Sequence, residues 1–179
     1  MMRRMIAVFA VAMFLLPLIV QAQAPQMPKP GPELKKIDYF AGTWKMEGET
    51  KASPYGPGGK VTLTEHDEWM PGGFFLVTHS DYKGPLGESK GLAIMGYKTD
   101  DKVYTYHEFD STGETVSATG TVQGDTWTWN SEDKMGGKVI KGRYTVNVLS
   151  PTSYNFKYEM AVDNGEWNTI MDGKATKAK

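Results

Sequence analysis

The chain has 179 residues, with 20 lysines and arginines against 21 aspartates and glutamates, a formal net charge of −1 and no cysteine. A near balance of charge without a basic run gives no footprint for nucleic acid, and the lack of cysteine excludes disulfides, thiol nucleophiles, zinc-thiolate sites and lipid attachment at a cysteine. Five tryptophans, nine tyrosines and twenty glycines lean the composition towards sheet.

Arg3 and Arg4 precede an apolar run, Met5 to Val20, that ends in Ala22-Gln23-Ala24. The pattern is that of a secretory signal peptide spanning residues 1–24, and the run is shorter than the roughly 20 residues a bilayer span needs. The expected location is therefore periplasmic or secreted, with no membrane partner once the leader is removed. Without Arg3 and Arg4, 18 basic residues face 21 acidic ones. Residues 25–32, P-Q-M-P-K-P-G-P, can neither pair in a ladder nor continue a helix and read as a tether.

Residues 33–179 form the expected domain. Glu33 to Phe40 offers one or two helical turns with Leu34, Ile37 and Phe40 on one face, ended by Gly42. Alternating segments follow near 43–50, 60–69, 74–82, 89–97, 102–109, 115–123, 126–132, 138–149, 153–162 and 166–176, separated by turn residues such as Gly124-Asp125, Gly136-Gly137 and Asn164-Gly165. Connections this short cannot carry a parallel crossover, so neighbouring strands pair antiparallel. Closure of such a meander removes both exposed edges. The expected fold is all-β: an antiparallel up-and-down barrel of about ten strands, one end plugged by the N-terminal helix.

A short helix followed by Gly42-Thr43-Trp44 at the head of an antiparallel chain resembles the calycin superfamily, which groups lipocalins, fatty-acid-binding proteins and nitrobindin-type barrels. The motifs FAGTW, PGGFF at 71–75 and GLAIMGYKTDDKVYTYHEFDSTG at 91–113 together resemble a family of secreted bacterial calycin-like barrels, a domain of unknown function. The resemblance implies a barrel floored by Trp44, whose ring packs beneath a basic side chain from a late strand, here Arg143 or Lys174. It carries over no activity and no catalytic residues. Fatty-acid-binding proteins place portal helices after the first strand, where this chain has KASPYGPGG, and an arginine and tyrosine in the last strand, where EWNTIMDGKATK has neither. Nitrobindin-like barrels hold haem through a late histidine, yet no histidine follows His107. No cofactor is implied.

His66, His79 and His107 fall on three strands and form the basis of one alternative, a weak metal-assisted enzyme, although no paired-ligand motif accompanies them. Gly87-Glu88-Ser89-Lys90-Gly91 has the spacing of a serine nucleophile elbow but lacks the helix that motif requires. Glu65, Asp67 and Glu68 beside His66 read as a solvated strand face. Aromatic residues carry the remaining signal, with small residues at Gly48, Gly91, Ala93, Gly96, Ala118 and Gly120 leaving room among them. The expected function is the binding of a small, partly apolar or aromatic ligand by His79, Tyr106, His107, Trp127, Trp129, Arg143 and Tyr158, without catalytic residues or a metal. A filled barrel acting through its outer surface in the envelope is the other alternative.

Overall fold

A computed structural model describes residues 28–178 apart from Tyr55; the leader at 1–24 and the first residues of the tether lie outside the described residues. One helical turn, α1 (Leu34–Ile37), precedes ten strands. They are β1 (Gly42–Thr50), β2 (Gly59–Trp69), β3 (Leu76–Gly84), β4 (Gly87–Lys98), β5 (Val103–Asp110), β6 (Thr115–Gln123), β7 (Thr126–Met135), β8 (Lys138–Ser150), β9 (Ser153–Val162) and β10 (Asn168–Lys177). Each strand pairs antiparallel with its sequence neighbours, and β1 pairs with β10 to close the barrel. The chain is thus the all-β, ten-stranded barrel that its alternation and short turns imply.

Two boundaries differ instructively from the pattern. Phe74 and Phe75 precede β3 because Gly72 and Gly73 hold the chain in a left-handed turn, φ 101° and 72°, before pairing begins. Strand β7 runs on to Met135, since its charged tip Glu132 to Lys134 still pairs with Val139 to Lys141.

Cross-strand register fixes which residues share the lumen, because side chains alternate between the two faces of a strand. Trp44 opposes Glu65, Met46 opposes Leu63, and Gly48 opposes Val61. The inward set continues through Glu65, Ser80 and Gly91 across β2, β3 and β4, and through Tyr106, Ala118 and Ser131 across β5, β6 and β7.

At one end of the barrel this face is a solid aromatic core. Trp44, Leu76, Met95, Tyr104, Trp127, Trp129, Val146, Tyr154 and Phe156 are buried there with Leu34, Ile37 and Phe40 from α1 and the turn after it. Burial of such large side chains supplies most of the folding drive. Hydrogen bonds stitch the plug to the strands. Trp44 Nε1 donates to Phe40 O at 2.7 Å, Trp69 Nε1 to Asp38 Oδ1 at 2.8 Å, and Tyr39 Oη lies 3.0 Å from Ser150 O and 3.1 Å from Ser153 O. The indole of Trp44 is fully buried. Its cationic partner is Lys177, whose Nζ lies 5.3 Å from the ring centroid. Arg143 and Lys174 do not take that place, because both stand on the opposite alternation phase and project outward.

The small residues accommodate rings more than they leave space. A Cβ on Gly120 would lie 2.5 Å from Trp129 Cε3, and one on Gly173 or Gly48 would meet Phe156 Cζ at 2.6 or 3.0 Å. Trp129 cannot easily retreat, since it stacks on Trp127 at 6.1 Å and 10° and contacts Tyr106 at 5.8 Å. Gly120→Ala is therefore expected to destabilise the barrel by about 1–3 kcal/mol through overpacking. A lowered urea midpoint with an altered near-ultraviolet circular dichroism signal from the tryptophan pair checks it.

Candidate functional site

Beyond the aromatic core, on the side away from α1, the lumen changes character. Leu63, Glu65, Ser80, Tyr106, Tyr144 and Tyr158 all face the barrel axis, yet each keeps some solvent-reachable surface. An inward side chain at mid-strand can do so only where a water-sized probe fits beside it. This half of the barrel is therefore not fully packed.

Polar groups converge on that space. Tyr106 Oη donates to Glu108 Oε2 at 2.9 Å. Glu108 Oε1 comes within 3.2 Å of where a Cβ on Gly91 would sit, with Ser80 Oγ on the other side of that glycine. Glu65 is the register partner of Ser80 and has no hydrogen bond or ion pair among the described residues. One step towards the floor, Asp67 is only 4 % exposed; it accepts a short hydrogen bond from Thr78 through Oδ1, while Oδ2 has no partner.

Burial sets the protonation of these acids, because desolvation disfavours the charged form. The Glu65 carboxyl is pushed up to about 8, first by burial and then by the charges of Asp67 and Glu108. Burial raises Asp67 to about 6, against the Thr78 hydrogen bond and the more distant His66 and Lys177. Glu108 is also raised, burial outweighing the bond from Tyr106. The phenols of Tyr106, Tyr144 and Tyr154 are held well above their ordinary range by burial, with the neighbouring acids adding to it. At neutral pH Glu65 is thus mostly a neutral carboxylic acid.

The predicted ligand-binding residues divide by alternation. Tyr106, Trp127, Trp129 and Tyr158 face the lumen, the two tryptophans within the packed core and the two tyrosines beside the polar space. His79, His107 and Arg143 stand on the other phase and project from the outer wall, so they are not part of the interior. His66 and His79 are cross-strand partners on that wall, with His66 Nδ1 3.1 Å from Thr43 Oγ1. His107 Nδ1 lies 3.1 Å from Ser117 Oγ, in a shallow outer groove of about 490 Å³ that Trp167 overhangs. Arg143 binds Glu159 at 2.9 Å and places its guanidinium 4.3 Å from the Trp167 ring centroid. Among the described residues no three histidine, aspartate or glutamate side chains converge as metal ligands.

The sequence pattern reads as a solvated face at Glu65 and Asp67, whereas both point inward. The signal lay in their flanks, since Val61, Leu63 and Trp69 occupy the same phase of β2.

Residues 29–177 match a family described as a protein of unknown function, DUF1579. The chain belongs to that family. No curated protein matches it. Among solved structures, Rv2717c from M. tuberculosis is similar at a TM-score of 0.58 and 11% identity, covering 84% of this chain and 100% of that one. EF1p2_mFAP2b bound to DFHBI is similar at a TM-score of 0.37 and 13% identity, covering 81% of this chain and 98% of the other. The likeness to Rv2717c is one of fold. This DUF1579 barrel is closed and ten-stranded, with an aromatic-rich interior that gives way to an acidic, tyrosine-lined space.

Proposed function

We propose that this barrel binds a small, partly apolar or aromatic molecule in the half of its lumen away from α1, in the periplasm or as a secreted protein. The location rests on the leader-like sequence at residues 1–24. One observation carries the binding reading: inward side chains at mid-barrel, Glu65, Ser80, Tyr106 and Tyr144 among them, retain solvent-reachable surface. Concave sites lined by aromatic rings with a few convergent polar groups are where small molecules dock. Trp129 lies 5.8 Å from Tyr106, so an occupant beside Tyr106 should perturb indole emission.

The test is native mass spectrometry of protein prepared from its own host, with tryptophan fluorescence recorded before and after denaturation and refolding. An adduct lost on denaturation, with a changed emission after refolding, is the expected result. A crystal structure with a dry, filled lumen and no adduct overturns the reading.

A role played by the outer surface is the second reading, favoured by an apolar strip across β3, β4 and β5. Leu92 and Phe109, 39 % and 53 % exposed, are cross-strand partners there, beside Val77 and Ile94. Phe109→Ser would then alter the protein's association state while leaving any lumen occupant in place.

A further inference from the structure

We infer that the lumen is built for an organic cation, an ammonium or amidinium group on a small apolar or aromatic body, with Glu65 as its principal counter-ion. The inference rests on the proposed binding role and adds the charge class of the ligand.

Three carboxyl groups, Glu65, Asp67 and Glu108, face the interior from β2 and β5, and Asp110 and Asp133 share the inward phase only towards the ends of β5 and β7. No arginine or histidine occupies an inward strand position among the described residues. Lysine does so only at the extremities, Lys138 at the exposed tip of β8 and Lys177 at the floor. Lys177 is engaged with the Trp44 ring and with Tyr39 O at 3.4 Å, and it acts on Asp67 only as a more distant charge. Glu65 and Glu108 therefore have no internal cationic partner among the described residues.

Such an arrangement costs stability unless the groups stay protonated or meet a positive charge. Asp67 Oδ2, buried at the bottom of the set without a hydrogen-bond donor, marks the same deficit at a single atom. Around the acids stand the rings of Tyr106, Tyr144 and Tyr158, whose electron-rich faces attract a cation and repel a carboxylate. An anionic cargo would meet three acids and no base. Metal ions are a poorer match, because the carboxylates do not converge on one point.

Binding would be linked to protons. The empty site holds Glu65 as a neutral acid, and an ammonium group draws it to carboxylate, so one proton leaves as the cation docks. The groups coupled to Glu65 are Asp67 on its own strand, Tyr106 and Glu108 on β5, Tyr144 on β8 and Tyr154 on β9, and Tyr82 on β3 and Tyr158 on β9 share the inward phase around them. With the tyrosines neutral throughout, the released proton belongs to the coupled set of three carboxyls.

The experiment compares three probes that share a phenyl ring by isothermal titration calorimetry: benzyltrimethylammonium, which is charged at every pH, benzyl alcohol and benzoate. Expected is the order ammonium, then alcohol, then benzoate. The ammonium affinity should rise between pH 6 and pH 8, approaching tenfold per unit where one proton is released. Its apparent enthalpy should change with the ionisation heat of the buffer. Glu65→Gln should weaken the ammonium probe at least tenfold and remove most of that proton release, a larger loss than for benzyl alcohol. Unchanged circular dichroism and a cooperative thermal transition show that the variant is folded. Equal or tighter binding of benzyl alcohol or benzoate overturns the cation inference and leaves the binding barrel standing. Binding of none of the three overturns both.

Discussion

Trp44→Ala is expected to cost about 3–5 kcal/mol of folding free energy, the range for removing a large buried ring and leaving a cavity. In a domain of this size that is a fall of roughly 10 °C in Tm. The effect is large because the indole holds three parts of the fold together. It is fully buried, sits 5.4 Å from Tyr39 and 4.9 Å from Tyr154, and donates Nε1 to Phe40 O at 2.7 Å. Its loss also strips the Lys177 ammonium of its aromatic partner and leaves the Phe40 carbonyl without a donor. The plug should loosen before the strands part. Trp44→Phe, which restores a ring but not the N–H, should recover about half of the loss. Urea and thermal unfolding followed by far-ultraviolet circular dichroism measure both. A loss below about 1 kcal/mol would mean that the floor is held by α1 and the tyrosines without the indole.

Why the barrel was readable from the chain while the site was not follows from what alternation records. Segments such as Tyr154-Asn155-Phe156-Lys157-Tyr158 contrast apolar with polar at every step, and two-residue turns such as Gly136-Gly137 leave neighbouring strands only one way to pair. Strand number, direction and closure are visible in that rhythm. The phase of Thr64-Glu65-His66-Asp67-Glu68 is not, since all five residues are polar or charged and only pairing with Trp44 and Met46 decides which face the axis.

Other positions show the limits differently. Tyr106 and His107 are consecutive on β5, so both could not line one lumen, and alternation already excluded one of them. Lys177 closes the floor from the last residue of β10, just beyond the expected end of that strand. Gly120 and Gly173 look like space in sequence, but the contour of Trp129 and Phe156 above them exists only in the packed fold.

The acids inside the barrel should make its stability fall as the medium becomes more alkaline, and Glu65→Gln should remove much of that fall. Burial raises the Glu65 carboxyl from about 4.5 in the open chain to about 8 in the fold. Between those values the folded state holds a proton that the unfolded state has lost, so unfolding is progressively favoured as pH rises. Stability from this group is complete below about pH 4.5, declines by up to about 1.4 kcal/mol per pH unit, and levels off above about pH 8. Asp67 and Glu108 are raised in the same direction and add to the slope. Below the window the sign reverses, because Asp110 is lowered by its Thr112 hydrogen bond and by backbone N–H groups, and its stabilisation is lost as acid protonates it. Glutamine keeps the shape of Glu65 and cannot ionise. The variant should match the parent near pH 4.5 and exceed it at pH 9 by a few kcal/mol, or roughly 5–10 °C in Tm. Thermal melts of both proteins from pH 4.5 to pH 9 provide the comparison. Parallel curves would place the Glu65 carboxylate in water, and with it would go the desolvated acid from which the cation preference follows.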